Sequence, residues 1–305
     1  MRICSFLPSA TEILYELGMG DNVVGVTHEC DFPPDASKRT VVVRSVFDAS
    51  KLNSTEIDKV IVQLVQERKD VYVVDDNALK NADPDLIVAQ GLCEVCSPHM
   101  KELDRAMNIL NNKPQVIVLD PHDLDEILLS IGQVAKKVGR EQKGEEVIAA
   151  LKRRINHISS IAQDTKNKTK VLCIEWLDPI FTAGHWVPQM VELAGAVNGV
   201  SKRGEPSRKM DWKEVVEFDP DIIVLMPCGF DVERTMNELW RIEKREEWNR
   251  LGAVKNKAVY ATDASSYFSR PGPRTVTGLE ILAKIIHPDL FNTMQIPGDS
   301  FRKVY

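Results

Sequence analysis

At 305 residues, with 43% hydrophobic and 28% charged side chains, the chain is long enough to bury two ordinary cores and has the composition of a globular protein rather than a disordered one. A net charge of −6 argues against a general binder of nucleic acid or anionic membrane, because both need a basic surface to meet phosphates. No apolar run has the length of a membrane span. The opening Met1-Arg2-Ile3-Cys4-Ser5-Phe6-Leu7-Pro8 enters a strand directly, without a signal-peptide stretch, so a cytoplasmic protein is expected. The six cysteines are then expected as thiols or ligands rather than disulfides.

The first expected element is a strand over residues 2–7, then a helix ending at Leu17-Gly18-Met19-Gly20 and a short strand at Val24-Gly25-Val26-Thr27. A helical pattern over residues 55–68 and a strand-like Val71-Tyr72-Val73-Val74 follow. Asp83-Pro84-Asp85 stops a helix, since proline lacks the N–H that a helix interior needs, and Leu86-Ile87-Val88 begins an apolar run of buried-strand length. A helix over about residues 100–111 and a strand over 115–119 complete the first half. Apolar residues at Leu124, Ile127, Leu128, Ile131, Val134 and Val138 then hold a helical period. After a break near residues 139–144 the period resumes at Val147, Ile148, Leu151 and Ile155. Residues 164–170 are polar and read as a linker.

The second half repeats the first. A strand over residues 170–175 leads to Leu193-Ala194-Gly195-Ala196 and a short strand at Asn198-Gly199-Val200-Ser201. Asp219-Pro220-Asp221-Ile222-Ile223-Val224 restates the earlier Asp-Pro-Asp strand, and a strand over 258–261 answers 115–119. From Gly25 to Asp83 is 58 positions (83 − 25), against 20 from Gly199 to Asp219 (219 − 199), so the first copy carries an insertion. Alternating strands and helices, given twice, predict an α/β fold of two similar lobes, each a mainly parallel sheet covered by helices, with a ligand cleft between them. The expected divisions are a first lobe over 1–122, a linking helix over 123–163, a second lobe over 164–291 and a tail over 292–305 that packs on the surface.

This organisation resembles the helix-linked (class III) substrate-binding proteins of ABC transporters, most closely their cobalamin-binding branch, over roughly residues 1–290. Leu7-Pro8-Ser9-Ala10-Thr11-Glu12 is similar to that branch's first strand-to-helix turn, and Phe181-Thr182-Ala183-Gly184-His185 to its counterpart in the second lobe. The resemblance implies a periplasmic-binding-protein-like fold and non-catalytic binding of a corrinoid such as cobalamin, here by a signal-less, cytosolic carrier or salvage protein. The alternatives are a transporter component for cobalamin, haem or another metal chelate, and a thiol- or metal-dependent enzyme. In that branch each lobe offers an acid to basic pockets of the permease. Seven positions before each repeat proline stand Asn77 (84 − 7) and Lys213 (220 − 7); the adjacent Asp76 and Glu214 fit the pattern on a slipped alignment, but a lysine at the docking position and the missing signal peptide disfavour docking to an ABC permease.

Ligands of open α/β sheets bind beyond the carboxyl ends of the strands, so the loops there are the candidate site. Pro8 and Ser9 follow the first strand, Ser9 as a helix cap that exposes backbone N–H groups. His28, Phe32 and Phe47 follow in the first half. Trp176, Phe181, His185, Trp186, Phe230, Tyr267, Phe268 and Arg270 follow in the second. Loop aromatics can wall a flat, largely apolar macrocycle or simply pack over sheet ends. Trp212, Trp240 and Trp248 lie on helical stretches and read as packing. His185 can hydrogen-bond a ligand or coordinate its cobalt or iron, while Arg270 and Arg274 can pair with an amide or phosphate.

Cys93, Cys96 and His99, joined by Cys30 or His28, have the spacing to hold a zinc ion or form a redox disulfide, or else the cysteines are small buried residues. His28, Asp263 and His185 are a weaker set for a bare divalent cation. No dinucleotide fingerprint, phosphate loop, nucleophile elbow or His-Glu-x-x-His motif is present, so no enzyme class is indicated. Oligomeric state has no signature in the sequence.

Overall fold

A computed structural model describes residues 1–91, 100–163 and 169–305. The chain divides into two compact units. The first is Met1–Pro121 with Asp125–Ala149; the second is His122–Leu124 with Ala150–Tyr305.

The first unit runs β1 (Ile3–Ser5), α1 (Pro8–Glu16), β2 (Val23–Thr27), β3 (Thr40–Ser45), α2 (Ser54–Gln66), β4 (Tyr72–Val74), α3 (Asp76–Ala82), β5 (Leu86–Gln90), α4 (Met100–Ile109) and β6 (Gln115–Leu119). Then come α5 (Leu124–Lys137) and α6 (Glu141–Ala162). Its sheet has the order β4-β3-β2-β1-β5-β6, parallel except for β4. The second unit runs β7 (Val171–Trp176), β8 (Phe181–Thr182), α7 (Val187–Leu193), β9 (Arg208–Lys209), α8 (Trp212–Phe218), β10 (Ile222–Leu225), α9 (Val232–Glu238), α10 (Trp240–Glu243), α11 (Glu246–Arg250) and α12 (Gly252–Lys255). It ends with β11 (Val259–Thr262), α13 (Ala264–Tyr267), α14 (Thr275–Ile286) and β12 (Phe301–Lys303). The order of its sheet is β12-β11-β10-β7-β8-β9, with β11, β10 and β7 parallel and the other pairings antiparallel. The expected α/β architecture of two similar units is therefore present, although the second sheet is mixed rather than mainly parallel, because three of its five pairings are antiparallel.

The repeated Asp-Pro-Asp has one structural task in both units. Asp83 and Asp219 end α3 and α8 in the left-handed region (φ 39° and 42°), a conformation that short polar side chains tolerate and that turns the chain into the proline. Asp85 then accepts the backbone N–H of Arg2 at 2.7 Å, and Asp221 that of Lys170 at 2.8 Å, which fixes the start of β5 to β1 and of β10 to β7. The basic side chains close the same corner: Arg2 Nε donates to the carbonyl of Ala82 at 2.8 Å and Lys170 Nζ to that of Phe218 at 2.6 Å, each at a helix C-terminus. Asp75 and Asp211 cap the N-termini of these seven-residue helices. The repeat thus begins eight residues earlier than its sequence suggested.

Other expectations are corrected. The helix-end phrases match one residue out of register: Gly18 and Gly195, both at positive φ, terminate α1 and α7, with the N–H of Met19 returning to the Leu14 carbonyl and that of Ala196 to Val191. The strand expected at residues 198–201 is reduced to a single bridge between Lys170 and Val197. β3 lies in the insertion and is an additional strand, built on the continuous valine run Val41-Val42-Val43, which shows neither the helical nor the alternating period. The break expected near residues 139–144 is present, with Gly139 at φ 68° between α5 and α6, so the linking tract is two helices, and the unit division falls inside α6. Residues 292–305 carry β12, which completes one edge of the second sheet.

Each unit has its own apolar core. Phe6, Val42, Val43, Leu79 and Ile87 anchor the first; Leu172, Ile174, Ile223, Leu225 and Trp248 anchor the second. Both cores sit against the central strands, so the loops at the strands' carboxyl ends project from a fixed base.

Candidate functional site

In the first unit, the turn after β1 is buried. Leu7, not Ser9, is the N-cap of α1; Pro8 occupies the first turn, where its missing N–H costs nothing. Ser9 is 1% exposed, and its Oγ finds no hydrogen-bond partner among the described residues. Thr11 Oγ1 lies 2.9 Å from Ser5 Oγ and 3.1 Å from Cys30 Sγ, while Thr27 Oγ1 lies 3.2 Å from the same sulfur. Cys30 is thus a buried member of a hydroxyl network and not a surface ligand beside His28, which is exposed. The His28 ring lies 6.4 Å from that of Tyr72, and partial desolvation of the imidazole, then the charge of Arg44, lowers its pKa. Phe32 is exposed and Phe47 half-buried. Cys93, Cys96 and His99 lie outside the described residues. Among the described residues no group of three metal-ligating side chains is assembled, and Asp263 caps α13 by accepting the N–H of Ser266 at 2.9 Å. Burial pushes the Cys4 thiol up to about 12 and raises that of Cys173, so neither is poised as a thiolate.

Ser9→Ala is expected to leave the ligand-free protein as stable as the parent, or more stable by about 1 kcal/mol, since a buried hydroxyl without a partner costs free energy. Urea unfolding checks this, and a loss above about 1 kcal/mol would show that Oγ is bonded.

The second unit assembles the larger cluster. Trp176, at the end of β7, stands edge-on to Phe230 with ring centroids 5.4 Å apart. The Phe230 carbonyl accepts the N–H of Ser265, and the N–H of Gly229 is 3.2 Å from Ser269 Oγ, so the loops after β10 and β11 are stapled together. Trp186 Nε1 donates to the carbonyl of Phe268 at 2.9 Å. Trp186, Phe230 and Phe268 are all under 5% exposed and are corrected from surface walls to supports. Trp176, Phe181, His185, Tyr267 and Arg270 stay partly exposed on that bed. Arg270 reaches Ser265 Oγ at 3.3 Å, and the Arg274 guanidinium lies over Tyr267 at 5.8 Å.

Close backbone approach sets the His185 loop. At Gly184 a Cβ would stand 2.4 Å from the nitrogen of Ser207, and the N–H of His185 donates to the Glu205 carbonyl at 2.6 Å. His185 is held at φ 53°, a left-handed conformation uncommon outside glycine, and its ring is 6.0 Å from that of His122 and 5.6 Å from that of Trp186. The sequence reading missed His122, although it follows the carboxyl end of β6. It also missed Arg234, whose guanidinium lies 3.8 Å from the Phe230 ring centroid. Their signals were position after a strand and an i, i+4 pairing with Phe230.

The acids considered for permease docking are engaged within their own units: Asp76 with Arg105 at 3.0 Å, and Glu214 with Arg208 at 2.7 Å as well as with the N–H of Asp211. Lys213 lies 3.8 Å from Glu217. Trp240, expected as packing, is 48% exposed beneath Arg241 and Lys244, whereas Trp248 is fully buried.

Two α/β units whose polar and aromatic loops gather at the carboxyl ends of parallel strands define a binding fold of the two-unit type. The family described as Periplasmic binding protein matches residues 3–266, and the chain belongs to that family. It is 29% identical over 297 residues to an uncharacterised ABC transporter substrate-binding lipoprotein of Bacillus subtilis, covering 95% of this chain and 81% of the relative. It is 25% identical over 284 residues to the vitamin B12-binding protein of Vibrio cholerae, covering 92% and 86%. Among solved structures it resembles a possible iron-binding, periplasmic solute-binding protein of Staphylococcus epidermidis at TM-score 0.68 and 25% identity, covering 94% of this chain and 98% of the other. A periplasmic haem-binding protein of Roseiflexus matches at TM-score 0.70 and 20% identity, covering 95% and 98%; at that identity the likeness concerns the fold alone. No described helix is long and apolar enough to cross a membrane.

Proposed function

We propose that the chain binds a corrinoid macrocycle of the cobalamin type, without reacting with it, as the substrate-binding component of an ABC uptake system. The observation that carries this reading is the partly exposed Trp176, held edge-on against buried Phe230 at the carboxyl end of β7, with Phe181 and Tyr267 also partly exposed. Rigid aromatics on an apolar bed suit a large flat ligand. The vitamin B12-binding relatives, matched over most of their length, support the same ligand class. Haem and iron chelates are the competing ligands.

Titration with cobalamin, followed by absorbance and calorimetry, is expected to give micromolar or tighter affinity. No spectral change and no heat would sink the proposal, and tighter binding of haem would reassign the ligand. Trp176→Ala is expected to weaken cobalamin at least tenfold while leaving the thermal midpoint within about 2 °C, since the ring is only partly buried.

A second reading, a cytoplasmic carrier that serves no permease, is favoured by the engagement of Asp76 and Glu214 within their own units. Reconstitution with a cognate permease separates the two: ligand-dependent stimulation of its ATPase supports the transporter role, and none supports the carrier.

A further inference from the structure

α2 belongs to the insertion that the second half of the repeat lacks. From Val60 to Val65 it reads Val-Ile-Val-Gln-Leu-Val, and β-branched side chains are stiff in a helix, so packing rather than propensity has to hold it. Yet of its 13 residues only Ser54 and Ile57 are buried, against seven of nine in α1 and nine of twelve in α14. Ile57, Ile61 and Leu64 share one face at helical spacing, and Leu64 packs on the core of the first unit. Val62 and Val65, three residues apart, form a second stripe and are 45% and 58% exposed. A groove lined by Leu64, Val46 and Val73 adjoins the helix, and both of those valines are exposed as well. Four exposed valines gathered about one helix mark an interaction surface, where singly scattered ones would not. The two ends of α2 differ in charge: Glu56 and Asp58 outweigh Lys59 at the N-terminal end, while Arg68 and Lys69 outweigh Glu67 just past the C-terminus. A surface of one sign would call for a foreign partner of the other sign; this one complements itself when two copies run antiparallel, each acidic end beside the other's basic end.

We infer that this face of α2 is the surface through which two copies of the chain associate, as an antiparallel helix pair about a two-fold axis, with Val62 of one copy opposite Val65 of the other. A 13-residue helix is about 20 Å long, so the pair covers less than the roughly 800 Å² per partner of a standard interface, and the association is weak and reversible. It is independent of the ligand proposed above, since α2 contributes no residue to the loops assigned to binding.

Sedimentation velocity of the full chain, run across a concentration series, is expected to show monomer converting to dimer in the micromolar range. Val62→Glu and Val65→Glu each set a charge against an apolar contact at a position the monomer leaves exposed. Each is expected to raise the dimer dissociation constant more than tenfold, while the thermal midpoint, measured where the parent is monomeric, stays within about 2 °C. The register has its own readout. A mixture of the Val62→Cys and Val65→Cys chains is expected to give more disulfide-linked dimer than either chain by itself, with the bond mapped to those two positions by mass spectrometry, because a disulfide forms only between closely opposed residues. A parent that stays monomeric throughout, a dimer that both glutamate variants leave intact, or cross-linking no greater in the mixture overturns the inference. Failure to bind cobalamin moves none of these readouts and counts only against the function proposed above.

Discussion

Trp248→Ala is expected to destabilise the second unit by about 3–5 kcal/mol, the range for deleting a large aromatic from a packed core. The indole is fully buried in the core that includes Leu172, Ile174 and Ile223, edge-on to Trp212 at 6.4 Å. Its Nε1 reaches Tyr305 Oη at 3.3 Å, and that hydroxyl donates to Glu243 at 2.9 Å. Truncation therefore opens a cavity and removes the bond to Tyr305, two residues beyond β12. Burial ahead of other causes pushes the Tyr305 hydroxyl up to about 12, so this bond persists across the physiological range. All five tryptophans, Trp176, Trp186, Trp212, Trp240 and Trp248, belong to the second unit, so tryptophan fluorescence during urea unfolding reports that unit. A loss below about 1 kcal/mol would contradict the packing described for Trp248.

Gly184→Ala is expected to lower ligand affinity more than tenfold and stability by about 1–3 kcal/mol, the cost of overpacking. The new Cβ would meet backbone within 2.6 Å: the nitrogen of Ser207, the carbonyl carbon of Pro206 and the carbonyl oxygen of Glu205. A side-chain tip could swing away, whereas this backbone is tied to the site, with His185 bonded to Glu205 and Ser207 Oγ donating to Glu175 at 2.7 Å. Gly204→Ala is the control. Its φ of 78° makes alanine unfavourable by about 1 kcal/mol, but nothing lies within 4 Å of the added atom, so affinity should hold. Paired calorimetry and unfolding decide the matter; equal effects at the two glycines would remove the steric argument for Gly184.

The Asp-Pro-Asp repeat was legible because its cause is local. Proline stops a helix wherever it falls, an aspartate in the left-handed region turns the chain, and an apolar run then enters the sheet. The site was legible only as a set of loops. Trp176 and Trp186 stand ten residues apart (186 − 176) in one loop-rich stretch, yet one is partly exposed and the other buried against Phe268. Nothing in their neighbouring residues distinguishes them. Ser9 looked like a cap because serine commonly is one, but the strand ends two residues earlier than expected, at Ser5, and Leu7 takes the position.

By itself, then, the sequence determined the α/β class, the duplication and its helix-turn-strand corners, since these follow from apolar periodicity and from the backbone limits of proline, glycine and aspartate. Tertiary structure alone decided which aromatics are surface and which are support, that Cys30 belongs to a buried hydroxyl network, and that residues 301–303 close a sheet edge. Those outcomes depend on which distant segments come together, as β12 does with β11 and Ser265 with Phe230, and the period of a local stretch carries no record of its partner.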